Sequence, residues 1–200
     1  MDKEFYLIRH GESMGNVGLD TGNDPDLSPL GHAQAKQCAS LMLDYCDEDT
    51  LLLSSPFERC LVTSEAIALK NSLQIQMVVA LHEFFAREWF TMKRVKMLSL
   101  AEKAKKHPLV VGDYDNYQWW PDENETQNEV EIRMAMLRNR LVSGAYESEK
   151  IICVGHWASI AALAHAMVPE MDMPFVDNAA VTKIDFYDGE FSADFTNKLD

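Results

Sequence analysis

Apolar residues follow two rhythms along this chain. Phe5–Ile8 is a continuous apolar run, the pattern of a strand buried on both faces. Leu51–Leu53, Ile75–Val79 and the run IICVG (Ile151–Gly155) repeat it. Between these runs the spacing changes to three and four. Ser28 followed by Pro29 predicts a helix start, with serine as the cap and proline in the first position. Leu30, Ala33, Cys38, Leu41, Met42 and Tyr45 are expected on one face of that helix. Further helices are expected over Phe57–Leu69 and Thr91–Lys106, the latter stopped by His107-Pro108. Val130, Met134, Leu137 and Leu141 step by four, three and four, which predicts an amphipathic helix over Thr126–Val142. Ile160, Leu163, Ala164 and Met167 line another after IICVG.

The C-terminal rhythm is different. Ala180, Thr182, Ile184 and Phe186 alternate with Val181, Lys183, Asp185 and Tyr187, and Asp188-Gly189 predicts a hairpin turn. Together these elements predict an α/β fold. Its form is a three-layer α/β/α sandwich with a mostly parallel sheet and an antiparallel hairpin at the C-terminus. One domain over residues 1–200 is expected, with a lid-like excursion at about 89–125, where the pattern is least regular. The stretch VGDYDNYQWWPDENET reads as exposed, and Trp119-Trp120 as either a cap on a cleft or an anchor onto the core.

Composition narrows the function. The chain has 200 residues, 47% of them hydrophobic and 25% charged, as in ordinary globular proteins. Its net charge of −14 argues against nucleic acid and against an anionic membrane surface, both of which are held by an excess of Lys and Arg. A small anion would have to be bound by a local positive pocket inside a repulsive field. The four cysteines (Cys38, Cys46, Cys60, Cys153) form no Cys-x-x-Cys pair and read as buried free thiols. The first residues lack a signal-peptide apolar core and no stretch approaches a membrane span, so a cytoplasmic protein is expected.

Each of the four apolar runs then leads into a chemically active residue. FYLI reaches Arg9 and His10, LLLSSP reaches Arg59, VVAL reaches Glu83, and IICVG reaches His156. In open parallel sheets ligands bind beyond the carboxyl ends of the strands, so these five residues are candidates for one site. Two arginines offer planar donor forks for a phosphate or carboxylate. Cations beside a histidine disfavour its protonation, and a neutral imidazole can attack phosphorus. Glu83 is placed to protonate a leaving oxygen, with Glu88 as the alternative acid. Gly11 and Gly155 are expected to let the backbone approach the phosphate closely.

These residues carry a resemblance. LIRHGES (Leu7–Ser13) with Asn16, DLSPLGHAQA (Asp26–Ala35), SSPFERCLVTSEAI (Ser54–Ile67), LHE, VGHWASI and NAAVTKIDF resemble the histidine phosphatase superfamily, the phosphoglycerate-mutase-like proteins. The blocks follow the family's order and cover most of the chain outside about 89–125. The resemblance implies that His10 is the phosphorylated nucleophile and Glu83 the general acid. Arg9, Arg59 and His156 would hold the phosphoryl group, and Ser13 and Asn16 would line the substrate pocket. It implies no metal and no organic cofactor. The segment after the acid departs from the family's Gly-x-Trp-Glu-Gly-like pattern. In EFFAREWFTMKR, Arg87 takes the glycine's place and Phe90-Thr91 replace Glu-Gly, and Arg87 is a candidate contact for a second anionic group.

The expected activity is hydrolysis of a small phosphorylated substrate through a covalent phosphohistidine on His10. A cofactor-dependent phosphoglycerate mutase is the alternative enzyme, although mutases of the family typically carry larger insertions that close the site. A catalytically weak member that binds a phospho-ligand or partner is the third reading, motivated by the altered AREWFT segment. One chain gives no oligomeric state.

Overall fold

The computed structural model describes residues 2–19, 22–86, 97–171 and 176–199. Its centre is a six-stranded sheet in the order β3-β2-β4-β1-β5-β6. The strands are β1 (Lys3–Arg9), β2 (Leu51–Ser54), β3 (Ile75–Met77), β4 (Lys150–Gly155), β5 (Val181–Tyr187) and β6 (Glu190–Lys198). β1, β2, β3 and β4 run parallel, while β5 pairs antiparallel with both β1 and β6. The expected mixed sheet and terminal hairpin are therefore both present. Asp188 (φ 50°) and Gly189 (φ 88°) form the hairpin turn in the left-handed region that an Asp-Gly pair favours.

The apolar runs are continuous because the sheet has a core on each face. Tyr6, Ile8, Leu52, Ile152 and Val154 pack toward α1 (Pro29–Leu41) and α2 (Glu58–Asn71). Phe5, Leu7, Leu53, Ile151 and Cys153 point the other way, among Val130, Met134, Leu137 and Leu141 of one helix and Ile160 and Leu163 of the next. The remaining helices are α3 (Leu100–Lys106), α4 (Gln127–Val142) and α5 (Trp157–Met167). The three α/β/α layers follow directly. Among the described residues the cysteines are free thiols, with Cys38, Cys60 and Cys153 buried. No described helix is long and apolar enough to cross a membrane.

Some expectations need correction. Ser28 does cap α1, accepting from the Gly31 amide. The buried face of that helix is Gly31, Ala35, Cys38 and Ala39, however, and Leu30 is 55% exposed while Ala33 also faces solvent. The helix turns its small residues to the core so that it can lie close to the loop after β1. The third strand ends at Met77 rather than Val79, because Val79–Leu81 tightens into a 3-10 turn. α3 begins only at Leu100. Ser99 and Glu102 form a reciprocal capping box there, and residues 97–99 are not helical. The proposed start of that helix at Thr91 lies outside the described residues.

The excursion is also less exposed than its polarity suggests. Trp119 is buried, donates from Nε1 to the Leu98 carbonyl at 2.9 Å, and packs edge-on against Phe57. Tyr114 donates to the Val111 carbonyl and accepts from the Met77 amide at the edge of the sheet. Trp119 is thus an anchor onto the core. Tyr117, 78% exposed, matches the solvated reading.

A buried charge cluster ties α3 to the start of α2. Lys103 Nζ lies 2.6 Å from Asp24 and 3.4 Å from Glu58. His107 bridges Glu58 (3.3 Å) and Glu65 (2.9 Å) through its two ring nitrogens, and Lys106 reaches the other Glu58 oxygen. Asp24 also accepts the Glu58 amide hydrogen at 2.7 Å. Burial opposes charge on both His107 and Glu58. Hydrogen bonds to Glu58 and Glu65 nevertheless push His107 up to about 9, and His107, Lys106 and Lys103 bring Glu58 down to about 2.

Removing one member of such a buried network typically costs about 3–5 kcal/mol. At about 2–4 °C per kcal/mol for a chain of this size, Glu58→Ala is expected to lower Tm by about 6–20 °C. The pH dependence follows from the two shifts. His107 titrates above its ordinary 6.5, so its contribution is full below 6.5 and is lost as pH rises through about 9. Glu58 titrates below its ordinary 4.5, so its contribution holds above 4.5 and fades as pH falls toward 2. Thermal unfolding from pH 7 to 10 should show a decline in Tm that His107→Asn flattens.

Candidate active site

The register of the parallel strands brings the sequence candidates to one rim. Arg9 at the end of β1 pairs with Gly155 at the end of β4, and Ser54 of β2 pairs with Val154. Arg9, His10, Ser55 and His156 therefore emerge side by side. Arg59 joins them from the first turn of α2. β4 returns between β1 and β2, so its end lies at the crevice where ligands bind in open α/β sheets.

Arg59 is the hub. Its Nε donates to His10 Nε2 at 3.1 Å and its Nη2 to His156 Nδ1 at 3.1 Å. The guanidinium carbon lies 4.4 Å from the Phe57 ring centre, so an aromatic face supports the cation. The two imidazoles meet edge to face with centroids 5.1 Å apart, and both are buried. Arg9 donates from one terminal nitrogen to the Val176 carbonyl at 2.6 Å. Arg9 Nε and Arg59 Nη1 are buried donors without a partner among the described residues. An anion at this rim would satisfy them.

Hydrogen bonds assign the tautomers. His10 Nδ1 lies 2.6 Å from the Gly11 carbonyl, an acceptor, so Nδ1 carries the proton and Nε2 presents a lone pair. His156 accepts at Nδ1 from Arg59, which leaves Nε2–H for Ser55 Oγ at 2.9 Å. Burial, and then the Arg59 charge, hold both imidazoles well below the usual histidine range. Two neutral histidines beside two arginines make a site that favours an incoming anion without storing further cationic charge.

Glu83 approaches from the turn after the 3-10 segment. Its Oε2 lies 3.7 Å from His156 Nδ1 and its Oε1 accepts the Phe84 amide at 2.8 Å. One-fifth of its side chain remains open to solvent. Burial raises its pKa despite Arg59, the Phe84 amide, Arg9 and Arg133, so a protonated carboxyl persists above the usual carboxylate range. Ser13 is buried and Asn16 exposed, and the two are bonded to each other: Asn16 Oδ1 accepts from both the amide and the hydroxyl of Ser13. Arg87 and Glu88 lie outside the described residues.

Several partners of the site were not singled out from sequence. Thr63 Oγ1 accepts the Gly11 amide and donates to the Arg59 carbonyl, joining the loop after β1 to α2. Asn178 Nδ2 and the Ala179 amide both donate toward the end of β1, at the His10 and Arg9 carbonyls. Ala179 holds φ 61°, a left-handed conformation that an alanine adopts only under tertiary constraint. Cys60 Sγ sits 3.4 Å from His156 Nε2. The NAA and SSP blocks contained these residues, but their hydrogen-bonding groups carry no signal until the strand ends are brought together.

The two glycines serve packing rather than phosphate access. A Cβ on Gly11 would lie 2.6 Å from the Gly31 carbonyl oxygen, and one on Gly31 only 1.9 Å from the Glu12 oxygen. The loop after β1 and the first turn of α1 are therefore in backbone contact. A Cβ on Gly155 would meet Ser159 Oγ at 2.9 Å and Ile160 at 3.2 Å, so that glycine seats α5 against β4. Among the described residues, no group of three or more His, Cys, Asp or Glu could hold a metal ion.

Comparison with known proteins defines the family and the fold. The family model of the histidine phosphatase superfamily (branch 1) matches residues 5–198. A glucosyl-3-phosphoglycerate phosphatase of Mycolicibacterium vanbaalenii is 26% identical over 174 residues, covering 83% of this chain and 74% of that one. A vanadate-complexed structure of a mycobacterial glucosyl-3-phosphoglycerate phosphatase superposes with a TM-score of 0.71 at 22% identity, covering 98% and 99% of the two chains. A phosphoserine phosphatase mutant from Entamoeba histolytica, in complex with phosphoserine, does so with 0.69 at 22% identity and 98% coverage of each chain. The chain belongs to the histidine phosphatase superfamily, and its fold is phosphoglycerate-mutase-like. It is a histidine-type phosphatase.

Two measurements check the geometry. Long-range nitrogen–proton correlation spectra should show His10 and His156 neutral at pH 6, His10 as the Nδ1–H tautomer and His156 as the Nε2–H tautomer. Gly31→Ala forces the backbone of residues 11–12 to move, and displacements of about 1 Å cost about 100-fold in rate. Hydrolysis of an aryl phosphate should fall by that order, while Leu30→Ala on the neighbouring exposed position leaves it near wild type.

Proposed function

We propose that this protein hydrolyses a small phosphorylated metabolite through a covalent phosphohistidine on His10. The observation that carries the reading is the His10 imidazole: neutral, fixed by the Gly11 carbonyl at Nδ1, with its Nε2 lone pair at the arginine-lined rim, where it accepts from Arg59 Nε until a phosphoryl group takes that place. The names of the relatives, which act on glucosyl-3-phosphoglycerate and phosphoserine, support a small phosphomonoester as substrate. The cytoplasm is the proposed compartment. Residues 89–125 are proposed to form the lid-like wall of a single domain.

In the first step His10 Nε2 forms a bond to phosphorus as the bond to the leaving oxygen breaks. Glu83 gives its proton to that oxygen. In the second step the Glu83 carboxylate takes a proton from water, the water oxygen bonds to phosphorus, and the His10–phosphorus bond breaks to release phosphate. Arg9 and Arg59 face the equatorial oxygens, where fixed donors contribute most of the stabilisation in reactions of this kind. His156 is proposed to join them in holding the phosphoryl group once a proton on its Nδ1 replaces the hydrogen bond that this nitrogen accepts from Arg59. The two unpartnered arginine nitrogens are the donors that a phosphoryl group would complete. Ser13 orients Asn16, whose amide nitrogen is the group it can present to substrate. Arg87 is proposed to contact a second anionic group.

The pH profile has a defined sign. His10 must be neutral, which holds above a pKa well under 6.5, and Glu83 must be protonated, which holds below a pKa raised above 4.5. With an alkyl phosphate, kcat/KM should therefore fall on the basic side as Glu83 ionises. Glu83→Gln should remove that limb and lower kcat/KM by about 10²–10⁴-fold, the usual contribution of a general acid. If Glu88→Gln produces those effects instead, the acid is Glu88. Rapid acid-free quenching with a radiolabelled substrate should trap one phosphate on wild type and none on His10→Ala. Isomerisation of 3-phosphoglycerate without phosphate release would establish the mutase instead.

A further inference from the structure

The turn that carries Glu83 is pinned from outside the site by one ion pair. Arg133 lies in α4 and its side chain is mostly buried, at 14% exposure. Its Nη1 donates to the carbonyls of Ala80 and His82, at 2.5 and 3.1 Å. Its Nε and Nη2 donate to the two oxygens of Glu125, each at 3.1 Å, in the parallel fork that arginine makes with a carboxylate. Glu125 holds the far side of the same turn. Its Oε2 accepts the Phe85 amide at 3.2 Å, and its own amide donates to the Phe85 carbonyl at 2.9 Å. The backbone is thus fixed three residues before Glu83, one residue before it and two residues after it.

Neither residue belongs to the family-like blocks, and neither touches His10, His156 or Arg59 in any hydrogen bond or ion pair. Arg133 stands three residues after Val130 and four before Leu137, within the apolar stripe of α4. An arginine placed there costs burial of a cation, which the Glu125 carboxylate and two carbonyls offset. A lysine could supply the charge but not the planar fork that reaches three acceptors at once. The nearby His82 is neutral, held down to about 3 by burial and then by Arg133, so it does not compete for Glu125 as a cation. The turn's other bonds are a 3-10 turn, His82 Nδ1 on the Glu83 carbonyl at 2.7 Å, the Glu83–Phe84 contact, the Ala86 amide on the Phe84 carbonyl and Ser159 Oγ on the Leu81 carbonyl at 3.1 Å; of these only Ser159 comes from another element.

We infer that Arg133 and Glu125 form a positioning pair that sets the Glu83 carboxyl at the leaving-group side of the site. Their loss should therefore lower kcat/KM, which reports the step in which the leaving group departs, only where a proton must be delivered to that group. The inference rests on the reading of Glu83 as proton donor, and the experiment separates the two. kcat/KM is measured with an aryl phosphate, whose leaving group departs without a proton, and with an alkyl phosphate, whose leaving group needs one. Wild type is compared with Glu83→Gln, Arg133→Met, Arg133→Lys, Glu125→Gln and the double variant Glu83→Gln/Arg133→Met.

Arg133→Met should lower kcat/KM for the alkyl phosphate by about 10–100-fold, the scale of a displacement near 1 Å, and for the aryl phosphate by less than about threefold. Arg133→Lys should not rescue, because the fork is missing. In the double variant Arg133→Met should add nothing further for the alkyl substrate, since its effect runs through a carboxyl already removed. Equal losses on both substrates, or additive losses in the double variant, would overturn the positioning role. If Glu83→Gln itself shows no preference for the alkyl substrate, the proton-donor reading fails and this inference falls with it. Should Arg133→Met be unstable by circular dichroism, Glu125→Gln, which keeps the side chain's volume, is expected to show the same substrate-selective loss in smaller measure; a uniform loss there would overturn the proposal.

Discussion

The guanidinium of Arg59 is the constraint on which the site depends. It is buried, stacked on Phe57, and donates to a ring nitrogen of each of two histidines. Burial disfavours a proton on both imidazoles, and a cation in that position reinforces their neutrality, because a proton on either would place like charges within hydrogen-bond distance. Neutrality in turn leaves the His10 ring with a basic nitrogen at the rim, the feature on which the proposed nucleophilic role rests. The second arginine adds charge without touching either ring in a hydrogen bond, since Arg9 reaches away to the Val176 carbonyl. The net field at the rim is positive in a chain of net charge −14, so attraction for an anion is a local property opposed by the rest of the surface.

That arrangement demands support well beyond the rim. Arg59 sits in the first turn of α2, directly after Glu58, and Glu58 is the centre of the charge cluster that binds α3 through Lys103 and His107. Thr63, one turn further, accepts the Gly11 amide hydrogen behind His10. The backbone contact between Gly11 and Gly31 locks α1 to the same loop. Two helices, α1 and α2, therefore meet residues 9–13, α3 braces α2 from behind, and the Glu83 turn is held from α4. The chemistry resides at strand ends, and its precision comes from helices.

Trp119 extends this logic to the excursion. It packs on Phe57, which itself packs on His156 at 4.9 Å and on Phe85 two residues after Glu83. A segment that looks solvated in sequence is thereby joined through one aromatic ring to both ends of the site.

Much of this was legible in the sequence. Apolar runs of the right length mark strands buried on both faces, the three–four spacing marks α4 and α5, and an Asp-Gly pair marks the hairpin, because each depends on neighbours close along the chain. The meeting of Arg9, His10, Arg59, Glu83 and His156 at one rim was legible too, since each follows an apolar run and parallel strands deliver such positions to one edge. What the sequence left open depends on contacts between distant segments. Periodicity places Leu30 on the buried face of α1 because it cannot tell which stripe meets a loop that needs glycine. Gly11 and Gly155 suggest openings for phosphate by their position, yet helices fill the space beside them. Arg133 and Glu125 lie outside the family-like blocks, and Asn178 lies within one of them, but no local pattern marks the partners that any of the three meets. Local spacing determines which elements form and which residues crown them; only the packing of elements far apart in the chain decides which carbonyls, amides and ions meet, because hydrogen bonds and backbone contacts act over a few ångströms in space.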